Sequence, residues 1–478
     1  MTDDELLEAT REVITESEPA LVGVKPEASG SDTEVMPLPL ATVVALGLLG
    51  AGWTMFVALT RRDLRLASVA LLVLAPVAVA LWLPAPQKLV TAVAGVAAGG
   101  GLLVGMIRSR RALGLGQGLR GHPLLAFALL YAACAIYGLL WGLWRGNDPV
   151  LMAGQGWTAI LFLVGFSLAG PLVASRATDR HWLWFTAAVA LLCLPALAPL
   201  ATWAGGTEQA GLVRFLQPAA FYAPVCMLLA LTVVLPRRRR VGAALAALLA
   251  LVTLLTFTRS YWLGLAAGLL VLAALAVVGA HKRGIPRPRL PRRSELAWTA
   301  VAASLVVALV VGTPVASFAF QRGAQTRQDS GDLSVEVRTL ELKGALRQVA
   351  ATPVSGVGSG GQYVALRQVD SERVFFGPTN FIHNAYLYFP LKFGALGFAA
   401  LMALAGGVMA LLGQAARRVR ANGLGAAAFP CAAVALLALS LTAPNLVDPT
   451  YSLFAGVLLF LAGTPKPLAR SEEEPCHP

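Results

Sequence analysis

The sequence predicts an all-α, polytopic membrane protein: about 12–13 transmembrane helices and one large extracytoplasmic loop. Composition is the first sign. Hydrophobic residues make up 57% of the chain and charged residues 13%, where soluble domains carry about a quarter charged. Apolar runs longer than the roughly 18 residues that cross a bilayer recur along the chain. Basic residues then fall in alternate connections, the pattern of a chain threading back and forth.

Residues 1–36 are polar, with ten acidic residues and two basic ones. They read as a disordered tail with a helix over Glu5 to Glu16. An acidic start ahead of the first apolar run lacks the basic region of a cleavable signal peptide. Apolar spans follow at 38–59, 66–84, 88–107, 123–144, 149–173, 181–204, 217–235, 241–257, 260–280 and 296–320, ten helices within residues 37–320. Residues 321–383 form the long loop. Spans 384–412, 424–442 and 449–463 fill residues 384–463, and 464–478 are a tail.

Connections after odd-numbered spans hold Arg61, Arg62 and Arg65, a cluster at 108–120, Arg176 and Arg180, Arg237 to Arg240, a cluster at 282–293, and Arg417, Arg418 and Arg420. The short connections after even-numbered spans hold only Lys88, Arg145, Arg214 and Arg259. The positive-inside rule makes the first set and the C-terminus cytoplasmic, and the long loop extracytoplasmic. The same count puts the N-terminal tail outside. The net charge of +13 is thus loop charge and not a nucleic-acid surface. Cys134, Cys193, Cys226 and Cys431 lie in apolar runs and Cys476 in the tail, with no metal or disulfide spacing.

Within the long loop, Asp332 or Ser334 caps a helix over residues 333–351, with Leu342, Leu346 and Val349 on one apolar face. Thr352-Pro353 ends it, and Gly356, Gly358, Gly360 and Gly361 read as a flexible turn. Their GxGxxG spacing follows no strand of a βαβ unit, so it is no nucleotide site.

Of five histidines, only His383 falls on the outer side. Histidine, with an ordinary pKa of about 6.5, can take a proton at neutral pH. A plainer reading is an interfacial residue anchoring a helix start. Arg259, in the tight turn Thr258-Arg259-Ser260, Arg214 and Arg338 lie on the same side. Arginine forks bind phosphate bidentately, although a lone arginine at a span end is usually snorkelling. Lys392 follows His383 by nine residues, about 13 Å deeper along a continuous helix. A lysine at such depth is costly and reads as functional or as snorkelling.

The segment from His383-Asn384 through Gly394 and Gly397 resembles the His-Asn…Gly-x-x-Gly signature of the O-antigen ligases and polymerases of the bacterial cell envelope. Thr258-Arg259-Ser260-Tyr261-Trp262-Leu263-Gly264 is similar to that family's arginine turn. Arg338 followed by Pro353, Gly356 and Gly358 is similar to its loop pattern. Lys392 departs from it, where many relatives are expected to carry a carboxylate or a neutral residue.

The resemblance implies a GT-C-like bundle in the cytoplasmic membrane. It implies a glycan donor on a polyprenyl diphosphate, and an acceptor sugar that is lipid-linked or on lipid A–core. No cofactor and no metal are expected, and a chain-length regulator is a partner only of a polymerase. His383, Arg259 and Arg338 are the expected catalytic residues; Arg214, Asn384, Thr258, Gly356 and Gly358 are expected on the substrate side. Rival readings are a transporter of an anionic or lipid-linked substrate, a non-catalytic envelope scaffold, and a relative of the peptidoglycan polymerases using Asp370 or Glu372. A transporter predicts mid-membrane ionisable residues on several spans and an internal repeat, which the sequence does not show.

Overall fold

The computed structural model describes residues 121–176, 179–193, 221–255, 259–281, 333–370, 373–380, 382–442, 444 and 446–464. The acidic tail, the three spans expected before residue 107, the span at 296–320 and residues 465–478 lie outside them. The protein is an all-α polytopic membrane protein. Among the described residues, Leu125–Trp144, Pro149–Ser167, Ser260–Gly279 and Ala385–Asn422 are long and apolar enough to cross a membrane.

The first two helices are α1 (Leu125–Trp144) and α2 (Pro149–Val164). Asp148 starts α2: its Oδ1 accepts from the backbone N–H of Val150 at 2.8 Å, and Pro149 stands where no donor is needed. A π-helical turn, Gly165–Ala169, leads into α3 (Gly170–Arg176). Next come α4 (Asp179–Cys193), α5 (Ala223–Leu229) with its π-helical turn Ala230–Val234, α6 (Arg239–Leu255) and α7 (Arg259–His281). The long loop supplies α8 (Leu333–Ala351) and a hairpin of β1 (Tyr363–Asp370) and β2 (Arg373–Thr379). The chain closes with α9 (Ala385–Asn422), a 3-10 turn at Leu424–Ala427, α10 (Ala428–Leu439) and α11 (Pro449–Gly463).

One end of the bundle is basic. Arg237 to Arg240 lead into α6 there, and Arg418 of α9 donates to the carbonyl oxygens of Gly463 (3.0 Å) and Thr464 (2.7 Å). A guanidinium on these last carbonyls satisfies groups that α11 leaves open. The opposite end, carrying α8 and the hairpin, is the loop face.

The loop face is stepped. His122, just ahead of α1, bonds the carbonyl of Phe460, so α1 and α11 are level at the arginine end. At 1.5 Å per residue the 20-residue α1 runs about 30 Å, a full hydrocarbon crossing, while the 15-residue α11 runs about 22 Å and the 12-residue α10 about 18 Å. Tyr131, low on α1, already reaches the carbonyl of Leu446 in the α10–α11 connection. Gly165, at the far end of α2, packs under Leu453 and Gly456 near the start of α11. Among the described residues, the upper halves of α1 and α2 therefore rise above the connection between α10 and α11, which forms a lower tread. Trp141 and Trp144 stack at 4.6 Å at the top of α1, and Trp144 is 76% exposed. An aromatic pair of this kind marks a membrane interface.

The span expected at 384–412 is not one straight helix. Gly394 takes φ 55°, ψ −131°, a conformation open only to glycine. There α9 folds back into a short arm, residues 385–393, and a long arm, residues 395–422. Gly397 lies against the carbonyl of Phe389, so the arms touch across the bend. The short arm runs with α1: Phe389 packs on Phe127 and Tyr131 (6.0 and 5.1 Å between rings), and Phe393 on Gly138. The long arm runs against α1, with Gly407 beside Pro123 and Leu124. Lys392 is accordingly not deeper than His383. It lies toward the Trp144 end of α1, fully buried, donating its Nζ to the carbonyl of Gly361.

The glycine stretch, expected to be flexible, is pinned. Val357 and Gly358 donate to the carbonyls of Leu391 and Lys392, and Ser359 donates to that of Gly138. Side chains of α1 and the following turn take its carbonyls: Tyr137 that of Ser355 (3.0 Å), Trp141 that of Gly356 (3.3 Å), and Asn147 those of Val357 (3.0 Å) and Ser359 (2.8 Å). A non-helical segment among apolar helices needs its backbone groups paired, and here α1, the turn after it and the short arm of α9 supply partners. Positive φ at Gly356 and Gly358 lets the chain thread between α1 and the α9 bend.

Two further expectations change. The loop contains a two-stranded antiparallel hairpin, with Tyr363 opposite Thr379 and a bulge at Gln368–Asp370. And α8 buries only part of the face read as apolar: Val349 packs against the core, but the two leucines do not. Leu346 is 50% exposed and Leu342 is exposed, while Glu341, Gly344 and Ala345 point inward. Small residues let α8 approach its neighbours closely, and close approach outweighs the burial of two leucines.

Candidate active site

The site is built where the hairpin hands over to the short arm. Asn384, in an extended conformation, caps that arm: its Oδ1 accepts from the N–H of Tyr386 (2.9 Å) and of Leu387 (3.0 Å). The arm is also tied to the tread. Ala385 N–H donates to the carbonyl of Ser440 (3.0 Å), and the Tyr386 hydroxyl to that of Leu437 (2.7 Å). His383, immediately before the cap, is thereby held beside the end of α10.

A second clamp comes from the loop helix. Glu341 of α8 uses both oxygens on one residue: Oε1 accepts from the backbone N–H of His383 at 2.8 Å, and Oε2 lies 2.7 Å from its ring Nδ1. The Glu341 side chain is 10% exposed and that of His383 41%. A carboxylate only accepts, so Nδ1 carries a hydrogen, and in the neutral ring Nε2 has the lone pair. The ring is thus fixed in position and tautomer while a large part of it stays open.

Arg338 stands three residues, about 4.5 Å, before Glu341 on α8, and is exposed. Arg259 opens α7, whose Gly264 packs against Leu439 and Ala435 near the end of α10. Tyr261, two residues on, meets Phe221 (6.3 Å between rings), and Phe221 meets Tyr451 at 4.1 Å. So the start of α7 and the His383 segment both border the tread of the loop face.

This stretch of chain also carries a family likeness. Residues 244–402 match the family model for O-antigen ligase. The match covers a third of the chain, and over that segment the chain is similar to this family. No curated protein matches the chain. The ligase segment runs from α6 to the upper long arm and carries Arg259, Arg338, Glu341, His383 and the α9 bend. The family brings a ligase- or polymerase-like activity, glycosyltransferase-like in kind, on lipid-linked glycans in a membrane.

Of the residues expected from the sequence, His383, Asn384 and Arg338 come together at the junction of α8 and the short arm, with the start of α7 across the tread. Gly356 and Gly358 are buried, and the backbone groups described above are bonded to α1 and α9. Thr258 and Arg214 lie outside the described residues. Sequence reasoning did not single out Glu341. It is one of several acids in a loop of mixed charge, and the only signal was its place on α8 beside the small residues Gly344 and Ala345.

Proposed function

We propose that the protein transfers a glycan from a polyprenyl diphosphate carrier to an acceptor sugar at the outer face of the cytoplasmic membrane, with inversion and without a metal ion. The observation that carries this reading is His383, a half-open imidazole held by its own backbone and ring inside an O-antigen ligase segment. The acceptor hydroxyl attacks the anomeric carbon. The bond from that carbon to the diphosphate oxygen breaks, its electron pair leaves on the diphosphate, and the hydroxyl proton passes to His383 Nε2. Attack opposite the leaving group inverts the centre. Arg259 and Arg338 offset the negative charge that grows on the diphosphate, the role a metal fills elsewhere, and Arg214 assists. Asn384 holds the helix start that presents the histidine. The basic end of the bundle faces the cytoplasm by the positive-inside rule, which turns the loop face outward.

The test is transfer by the purified full chain, with EDTA present, from a polyprenyl-diphosphate oligosaccharide to lipid A–core or to a second lipid-linked glycan. Acceptor-dependent release of polyprenyl diphosphate is expected, and is lost in His383→Ala. The acceptor that works separates ligase from polymerase. A fully active His383→Ala overturns the base assignment. No release with any acceptor from folded protein returns the choice to a transporter or a scaffold.

A further inference from the structure

We infer that Glu341 is a positioning residue that sets the tautomer of His383, so that the loop helix α8 is part of the catalytic apparatus and not only a cover. This rests on the proposed role of His383 as base.

Three observations carry it. Glu341 is among the few charged side chains buried within the described residues. Both of its oxygens go to the same residue, at 2.8 and 2.7 Å. And its neighbours Gly344 and Ala345 are buried with it, so α8 turns this carboxylate inward in preference to Leu342 and Leu346. Structure alone does not require that choice, since burying a carboxylate is costly unless it is fully used. An apolar residue at 341 would remove the acceptor that holds the hydrogen on Nδ1. With Glu341 present, Nδ1 is committed as donor and Nε2 receives the proton of the acceptor hydroxyl. As the proton arrives, the carboxylate also stabilises the imidazolium that forms, which then returns the proton to water. The bond from Oε1 to the backbone N–H fixes where the ring stands, and the bond from Oε2 to Nδ1 fixes its chemistry. The two functions can be separated by substitution.

Glu341→Gln retains an oxygen for the backbone N–H of His383 but turns an NH₂ toward Nδ1. That favours the tautomer with hydrogen on Nε2, which has no lone pair for the acceptor proton. The expected result is a loss of kcat on the order of 10²- to 10⁴-fold, with donor KM within a few-fold and an unchanged melting profile. Glu341→Asp, which keeps the carboxylate, is expected to recover part of the loss. Wild-type kcat in Glu341→Gln overturns the proposal. The tautomer can also be read in the wild-type protein, whatever the variants do. In ¹⁵N-histidine-labelled protein in lipid, solid-state NMR should show the resonance lost in His383→Asn as a neutral ring protonated at Nδ1. Protonation at Nε2 overturns the proposal. If His383→Ala is fully active, the base reading itself fails; if His383→Ala is dead and Glu341→Gln is not, only the role of Glu341 fails.

Discussion

Replacing Asn384 by Ala separates a structural from a ligand role at the residue next to the proposed base. Its Oδ1 takes two backbone N–H groups at the start of the short arm, at 2.9 and 3.0 Å. Loss of such a cap costs about 1 kcal/mol, within a range of roughly 0.5–2. The short arm, residues 385–393, is well below the ~12 residues at which an isolated helix begins to hold. It therefore depends on its cap and on its ties to Ser440 and Leu437. A cost of ~1.4 kcal/mol is tenfold in a population, so Asn384→Ala should lower kcat by up to about tenfold and lower the melting temperature. Asp caps as well as Asn, so Asn384→Asp should melt like the wild type and keep most of its turnover. The assay is transfer from a polyprenyl-diphosphate donor, with donor KM measured in parallel. An Asn384→Ala protein with unchanged melting and turnover would refute the capping argument. An Asp variant as impaired as the Ala variant, with raised KM, would instead make Asn384 a ligand of the sugar or diphosphate.

Gly397→Ala would drive a methyl group into the carbonyl of Phe389, a backbone atom that no rotamer change can move away. A loss of about 1–3 kcal/mol in stability is expected, with loss of transfer as the arms part. Gly406→Ala, also on α9 but facing open space, should be silent in the same melting assay. Arg259→Lys keeps the charge but loses the planar fork, and about a tenfold fall in kcat/KM for the donor is expected; unchanged values would count against diphosphate recognition there.

The amino-acid sequence carries the helical membrane architecture openly, because long apolar runs have no other stable fate in a bilayer. His383 was legible for a similar reason, as a lone imidazole where a polar loop meets an apolar run. The bend was not. Residues 385–412 keep helical composition throughout, and nothing in that pattern reveals that Gly394 adopts a positive φ. The error propagated to Lys392: counted along a straight helix it lay deep, whereas the short arm carries it toward the Trp144 end of α1, where it ties to Gly361. Glu341 was hidden for another reason. Its value comes from a contact across 42 residues of chain, and one carboxylate in a loop of mixed charge looks like any other. The glycine turn read as flexible because glycine permits motion, but the same lack of side chains admits a tightly bonded turn between helices.

The stepped loop face has a kinetic consequence. On the proposed reading the donor's anchor stays in the bilayer, so the donor reaches the low tread within the plane of the membrane and not through bulk water. Encounter is then counted per area of membrane and not per volume of solution. Diluting the donor with inert lipid at constant total concentration slows the reaction, while adding buffer does not. The natural variable for its rate law is the mole fraction of donor in the leaflet.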